Sequence, residues 1–188
     1  MTETIRIVGI NGSLRAKSYN QAALRVAKEM VPEDIAFETI SIGDLPFYNE
    51  DLEADLPAVV QNFRQQIQQA DAVFIVSPEY NGSLTGVLKN ALDWASRPHG
   101  KSPFIGKPVT TMGLGGRSGT AKAQAHTREI LRRLRATVIE QPEAHISFQS
   151  GMFDEENNII DAEVQQKIRT LLQELVQTVE NSRQAVAA

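Results

Sequence analysis

Cysteine is absent from the 188 residues. That absence excludes disulfides, thiolate nucleophiles and thiolate zinc sites together. The three histidines, His99, His126 and His145, fall in separate segments, so no close pair offers metal-ligand spacing. A surface or structural role is expected for each. No apolar run approaches the roughly 18 residues of a membrane span. The chain enters a strand-like run at once, which reads as leaving no room for a signal peptide. A basic excess is missing as well. Nineteen Lys and Arg stand against 23 Asp and Glu, a formal charge of −4. Such a balance is a poor match for a phosphate backbone, so nucleic acid is not an expected partner. With 41% hydrophobic and 22% charged residues, the composition is that of an ordinary globular protein. The expectation is a cytoplasmic, metal-free protein with one core and no membrane partner.

What the chain does have is alternation. Thr4–Ile10 is β-branched and nearly continuous, as a strand buried on both faces would be. Asn20–Val31 carries Ala, Leu and Val at helical spacing and stops before Pro32. Ile35–Ile42 reads as a second strand, followed by a turn-rich loop through Leu45-Pro46-Phe47-Tyr48-Asn49. Pro57–Ala70 is an amphipathic helix with Val59, Val60, Phe63 and Ile67 on one face. Ala72–Val76 is a short third strand, Ser83–Ser96 a helix, and Pro108–Met112 a fourth strand. Thr120–Leu134 follows as a basic helix of exposed character, then Ala136–Glu140 as a fifth strand. Val164–Val179 closes the chain as a helix, and the tail Asn181–Ala188 is expected to fray.

Strands interleaved one for one with helices imply a parallel sheet covered on both faces, an α/β fold. Right-handed crossovers restrict it to doubly wound orders, and five strands favour the flavodoxin-like order 2-1-3-4-5. In such sheets ligands bind beyond the carboxyl ends of the strands at the switch point, here between strands one and three. Three loops are expected to meet there: Asn11–Asn20, Ser77–Ser83 and Gly113–Gly119. They are also the chemically most unusual stretches of the chain.

The first loop joins a buried strand to a helix N-terminus, where backbone N–H groups lack partners and the dipole favours an anion. Gly12 permits close approach, Ser13 and Ser18 supply hydroxyls, Arg15 can fork two phosphate oxygens, and Asn20 can donate its amide or cap the helix. The set suits one terminal phosphate; an ordinary turn and cap, with Arg15 and Lys17 solvated, is the plainer alternative. A P-loop is excluded because Asn11 and Ala16 occupy its glycine positions, and the dinucleotide fingerprint fails at Leu14. A phosphoacceptor receiver would need acidic residues where Asn11-Gly12 and Ser77-Pro78 stand.

In the loop after the third strand, Pro78 fixes the exit and Asn81-Gly82 is a turn pair that tolerates positive φ. A bend of this kind turns N–H groups outward, where a flat heteroatom ring can accept from them, and Tyr80 adds an aromatic body with a polar tip. The plainer reading is a connection capped by Ser83, which leaves Tyr80 without a reason. The loop after the fourth strand has four glycines in the seven positions Gly113–Gly119, a conformational cost that close approach of a ligand would repay. It is not a nucleophile elbow, since Gly119 directly follows Ser118.

Taken together, Gly12-Ser-Leu-Arg15-x-x-Ser18-x-Asn20, Leu45-Pro-Phe-Tyr48-Asn-Glu-Asp-Leu52 and Pro78-Glu-Tyr-Asn81-Gly-Ser83 resemble the NADPH-dependent FMN reductase family. Leu84-x-Gly86-x-Leu88-Lys-Asn90-Ala-x-Asp93-Trp94 extends the resemblance, which spans about residues 4 to 145. It implies one FMN-binding domain over residues 1–188 that passes hydride from NADPH or NADH to quinone, azo, free flavin or metal-oxyanion acceptors. Ser13, Arg15, Ser18 and Asn20 would hold the FMN phosphate. Pro78, Glu79, Tyr80, Asn81 and Gly82 would line the isoalloxazine, and Gly115 and Gly116 would approach its pyrimidine side. Arg117 is a candidate for a ribose phosphate, although Arg117–Gly119 departs from the family's usual form. No side chain is assigned as a catalytic acid, base or nucleophile. The resemblance also implies a homodimer or tetramer, with Leu88, Leu92, Trp94 and the stretch His99–Phe104 as the segment pointing to assembly. A flavodoxin-like electron carrier and a non-enzymatic FMN sensor are the competing classes.

Overall fold

The computed structural model describes residues 4–116 and 118–187. Strands β1 (Ile5–Asn11), β2 (Ile35–Ile40), β3 (Ala72–Val76), β4 (Pro108–Leu114) and β5 (Thr137–Val138) pair in parallel in the order β2-β1-β3-β4-β5. This is the doubly wound flavodoxin-like order. Registers such as Ile7↔Phe37 and Ile7↔Ala72 put the carboxyl ends of β1, β3 and β4 on one edge.

Helices α1 (Tyr19–Met30) and α5 (Ala162–Ala187) cover one face; α2 (Ala58–Gln69), α3 (Gly86–Ala95) and the end of α4 (Ala121–Arg133) cover the other. Successive strand residues feed opposite cores, because side chains alternate across a sheet. Ile7, Phe74 and Val76 pack with Leu24, Ile168 and Leu172; Val8, Ile10, Val73 and Ile75 pack with Val60, Phe63, Leu88 and Leu92. Coverage on both faces is why β3 reads as an unbroken apolar run and β1, apart from Arg6 and its terminal Asn11, nearly so.

Several boundaries differ from expectation for identifiable reasons. Helix α3 starts at Gly86 and is capped by Thr85, whose hydroxyl accepts from the Leu88 N–H, whereas Ser83 is committed to a turn. The fifth strand is interrupted: β5 keeps two residues, Gln141-Pro142 breaks the ladder, and a sixth strand β6 (His145–Ile146) pairs with β4 beyond it. Helix α4 is not an exposed helix, since Ala123, Gln124, Thr127, Arg128 and Leu131 are buried and Arg128 is paired to Glu143 at 2.6 Å. In the tail α5 continues to Ala187, with Arg183 paired to Asp71 at 3.0 Å, and Ala188 lies outside the described residues. Trp94 is wholly buried and its indole N–H donates to the Pro46 carbonyl at 2.7 Å. Leu88, Leu92 and Phe104 lie in the same core, so none of these residues points to assembly. Among the described residues no helix is long and apolar enough to cross a membrane.

Candidate functional site

The three loops meet where β1, β3 and β4 end. Gly12 N donates to Val76 O at 2.8 Å, and Ser77 N donates to Met112 O at 3.1 Å. The Thr85 hydroxyl donates to Gly12 O at 2.7 Å, so the cap of α3 also latches the first loop. Ser77 sits between two glycines. A Cβ on Gly12 would stand 2.3 Å from Ser77 Oγ; one on Gly113 would stand 2.1 Å from Ser77 O and 2.3 Å from Thr120 Oγ1. No larger residue permits this approach of three strand ends.

The first loop is organised by short polar links. Asn11 Nδ2 donates to Ser13 O (2.8 Å) and to Gln21 Oε1 (3.0 Å), while Ser13 N donates to Asn11 Oδ1. Ser13 Oγ accepts from Arg15 N, and Ser18 Oγ caps α1 by accepting from Gln21 N. Both serines are buried. Each hydroxyl thus accepts from the backbone, which leaves its own hydrogen to donate to an anion. The cap serves Gln21, and the Tyr19 and Asn20 N–H groups have no intrahelical partner. Arg15 is exposed, its guanidinium 4.4 Å from the centroid of the Tyr19 ring.

Asn20 departs from its expected use. Its side chain donates to Leu114 O (3.1 Å) and accepts from Leu114 N (2.9 Å), a buried clamp between α1 and the end of β4. Its amide is spent on joining the first loop to the fourth; what it offers a phosphate is its backbone N–H.

In the loop after β3, Tyr80 and Ser83 exchange backbone hydrogen bonds of 3.1 Å in both directions. The two residues between have positive φ, +53° at Asn81 and +74° at Gly82. This is the type I′ arrangement that an Asn-Gly pair favours. The central N–H groups are left out of the exchange and turn outward. Tyr80 is 54% exposed and Pro78 is buried. Ser83 Oγ lies 2.9 Å from His126 Nδ1 on α4, so the turn is tied to that helix.

Glu79 turns to the start of α4. Its carboxylate accepts from Lys122 N (2.9 Å), Ala123 N (3.1 Å) and Ser118 Oγ (3.1 Å). Partial desolvation raises its pKa, but the Ala123, Ser118 and Lys122 hydrogen bonds outweigh it and hold the carboxyl below its ordinary range. A carboxylate on a helix N-terminus is favoured by the dipole as well. Glu79 therefore braces the third loop against the fourth. In that fourth loop Gly115 and Gly116 have positive φ, and Gly115 N donates to Ile146 O at 3.0 Å. Arg117 lies outside the described residues.

Sequence reasoning passes over three residues that build this site. Ser77 and Thr85 are ordinary residue types whose importance comes from what they touch. Thr120, wholly buried with φ +70°, adopts a conformation that nothing in its sequence signals. Only the spacing of the glycines around them gave a clue.

Comparison with known proteins agrees with this geometry. Residues 5–151 match the family model described as NADPH-dependent FMN reductase. An NAD(P)H-dependent FMN reductase of Pseudomonas aeruginosa is 45% identical over 177 residues, covering 93% of this chain and 95% of the relative. A 2-hydroxy-1,4-benzoquinone reductase of a Burkholderia species is 39% identical over 180 residues, covering 95% and 98%. Among solved structures, the flavoenzyme NAD(P)H:acceptor oxidoreductase FerB of Paracoccus denitrificans superposes with a TM-score of 0.86 at 32% identity, covering 94% of this chain and 98% of that one. With the matched region containing all three loops that converge on Ser77, the chain belongs to the NADPH-dependent FMN reductase family.

Proposed function

We propose that the protein is an FMN-dependent oxidoreductase that takes hydride from NAD(P)H and passes it to quinones. The observation that carries this reading is the convergence of a serine-bearing loop at a helix start, an Asn-Gly turn with positive φ and a glycine-rich loop on Ser77 at the switch point. The donor set fits the group. The Ser13 and Ser18 hydroxyls, the Tyr19 and Asn20 N–H groups and Arg15 supply hydrogen and positive charge to a phosphate at the start of α1. Asn81 and Gly82 offer N–H groups to a heteroatom ring, Tyr80 an aromatic side, and Gly115 and Gly116 backbone that can come close to its edge. Pro78 and Glu79 hold those two loops in place.

When bound, the flavin supplies the redox chemistry, accepting hydride from a nicotinamide and returning it to an acceptor. The chain's part is position and electrostatics. The Asn81 and Gly82 N–H groups, fixed before any substrate arrives, offset negative charge on the ring without reorganisation. Thr85, Asn20 and Glu79 tie the three loops to one another so that this geometry is kept. The open side of the site, beside exposed Tyr80, would admit donor and acceptor in turn, which supports a ping-pong course, and would admit azo compounds, free flavin and metal oxyanions as well. Phe47, 86% exposed on a loop held by Asn90 and Trp94, is suited to a contact between copies in a homodimer or tetramer. Use of a soluble nucleotide as reductant supports a cytoplasmic location.

Purified protein reconstituted with FMN is expected to turn over NAD(P)H continuously when quinone is present in excess, with parallel double-reciprocal lines. Intersecting lines refute a shared ring face. Bound flavin that NAD(P)H leaves oxidised would instead favour an electron carrier or a sensor.

A further inference from the structure

His126 on α4 stands beside the turn after β3. It is exposed, and its Nδ1 lies 2.9 Å from Ser83 Oγ. Ser83 closes the Asn81-Gly82 turn, paired with Tyr80 as the directly opposite residue of an antiparallel bridge. Opposite residues in such a pair project their side chains to the same face. The hydroxyl that holds His126 therefore lies on the face of the turn that carries Tyr80, 54% exposed at the open side of the site. Two further contacts fix α4 there. Glu79 accepts from the Lys122 and Ala123 N–H groups, and a Cβ on Gly82 would stand 3.6 Å from Lys122 Cδ. Lys122 and His126 are one helical turn apart, so both lie along the turn. With Nδ1 engaged by Ser83, His126 Nε2 has no hydrogen-bond partner among the described residues.

We propose that His126 is the acid that protonates the acceptor. The inference rests on the reading that a quinone is reduced at this site with NAD(P)H as the source of hydride. Hydride brings a quinone two electrons and one proton, forming one O–H bond at a carbonyl oxygen. The other oxygen is left as a phenolate and needs a second proton to give hydroquinone. His126 supplies it: the Nε2–H bond breaks, the new O–H bond forms, and the imidazole left behind regains a proton from water. Histidine suits the task because it changes charge between about pH 5 and 8. Ser83 suits the anchor, since a hydroxyl accepts from Nδ1–H of the imidazolium and donates to Nδ1 of the imidazole. The hold on the turn thus survives the whole cycle. The charged groups around His126 are Lys122 and, by helical spacing, Glu129 on α4, with Glu79 on the loop. Glu129 is paired to Arg133 at 3.5 Å and Glu79 is committed to the start of α4, which leaves the imidazolium proton for the acceptor.

The test reduces FMN-loaded protein with dithionite without oxygen and times its reoxidation by benzoquinone and by ferricyanide, for wild type, His126→Gln and Ser83→Ala. Ferricyanide takes one electron at a time and no proton. The ratio of the quinone rate to the ferricyanide rate is expected to fall about tenfold in His126→Gln, below the usual general-acid range of about 10²–10⁴ because water reaches the exposed site. Ser83→Ala, which frees the ring but keeps it, is expected to fall between the two. In wild type the ratio should decline as pH rises through the range in which histidine titrates; in His126→Gln it should stay flat. A second readout needs no turnover. Phenol, which mimics the product, titrated into oxidised FMN-loaded protein should move the His126 Cε1 proton resonance, identified by its loss in His126→Gln. If both rates fall together and the ratio holds, His126 is only a tether of the turn and the proposal is overturned. A phenol titration that leaves the resonance in place overturns it too. Failure of the underlying reading looks different: NADPH would then leave the flavin of the wild type oxidised.

Discussion

Gly113→Ala probes the junction on which the site depends. The added Cβ would lie 2.1 Å from Ser77 O and 2.3 Å from Thr120 Oγ1, roughly 0.9 and 0.7 Å inside the 3.0 Å that real Cβ atoms respect. Neither obstacle is a flexible chain end. The Ser77 carbonyl belongs to the backbone leaving β3, and Thr120 is wholly buried in a left-handed conformation. The strand ends must part. Overpacking costs about 1–3 kcal/mol, and immobile neighbours put this case near 3. At about 2–4 °C per kcal/mol for a chain of this size, the melting temperature of flavin-free protein should fall by roughly 6–12 °C. FMN affinity, read by quenching of flavin fluorescence, should fall with it, because the loops after β1, β3 and β4 no longer share one junction. Gly86→Ala is the matched control. Its Cβ meets nothing within 4 Å, and alanine at the start of α3 should stabilise by about 0.4–1 kcal/mol. If Gly113→Ala melts like Gly86→Ala and binds FMN normally, the close approach at Ser77 is not what holds the site.

Further outcomes follow from the same contacts. Arg15→Ala should weaken FMN roughly tenfold to a hundredfold, since hydrogen bonds to charged groups are worth about 1.5–3 kcal/mol and this one is partly solvated. Riboflavin, which lacks the phosphate, should bind as before; calorimetry on both ligands checks this. Thr85→Val keeps the shape but removes the α3 cap and the partner of Gly12 O, and should cost about 1–3 kcal/mol in urea unfolding. Glu79→Gln should lower the melting temperature at pH 7. Glu79 has a folded pKa held below the ordinary 4.5, so its stabilisation is present above that value and is lost as pH falls through the folded pKa. The gap between Glu79→Gln and wild type should therefore close in acid, and a gap constant with pH would count against the charged cap.

How much of this was legible in the sequence depends on whether a feature is local. Ala72–Val76 was bounded correctly because five apolar residues between an acidic residue and Ser-Pro allow one buried strand and little else. The strand order followed from alternation and handedness. The meeting of the three loops followed from that order. What escaped was set by distant partners. The indole of Trp94 is spent inside the chain, because its N–H donates to the Pro46 carbonyl 48 positions away. The side-chain partners of Asn20 and Glu79 were also out of view, since one clamps Leu114 and the other caps α4. The split of the last strand around Pro142 was likewise hidden, since β6 owes its existence to pairing with β4 rather than to its own two residues.

The central claim is that one site takes hydride from a nicotinamide and gives it to a quinone through bound FMN. It is tested most directly by following the visible flavin band of FMN-loaded protein without oxygen, in two separated steps. One equivalent of NADPH should bleach the band; after removal of the nucleotide, one equivalent of benzoquinone should restore it. A band that dithionite bleaches but neither NADPH nor NADH does would contradict the claim.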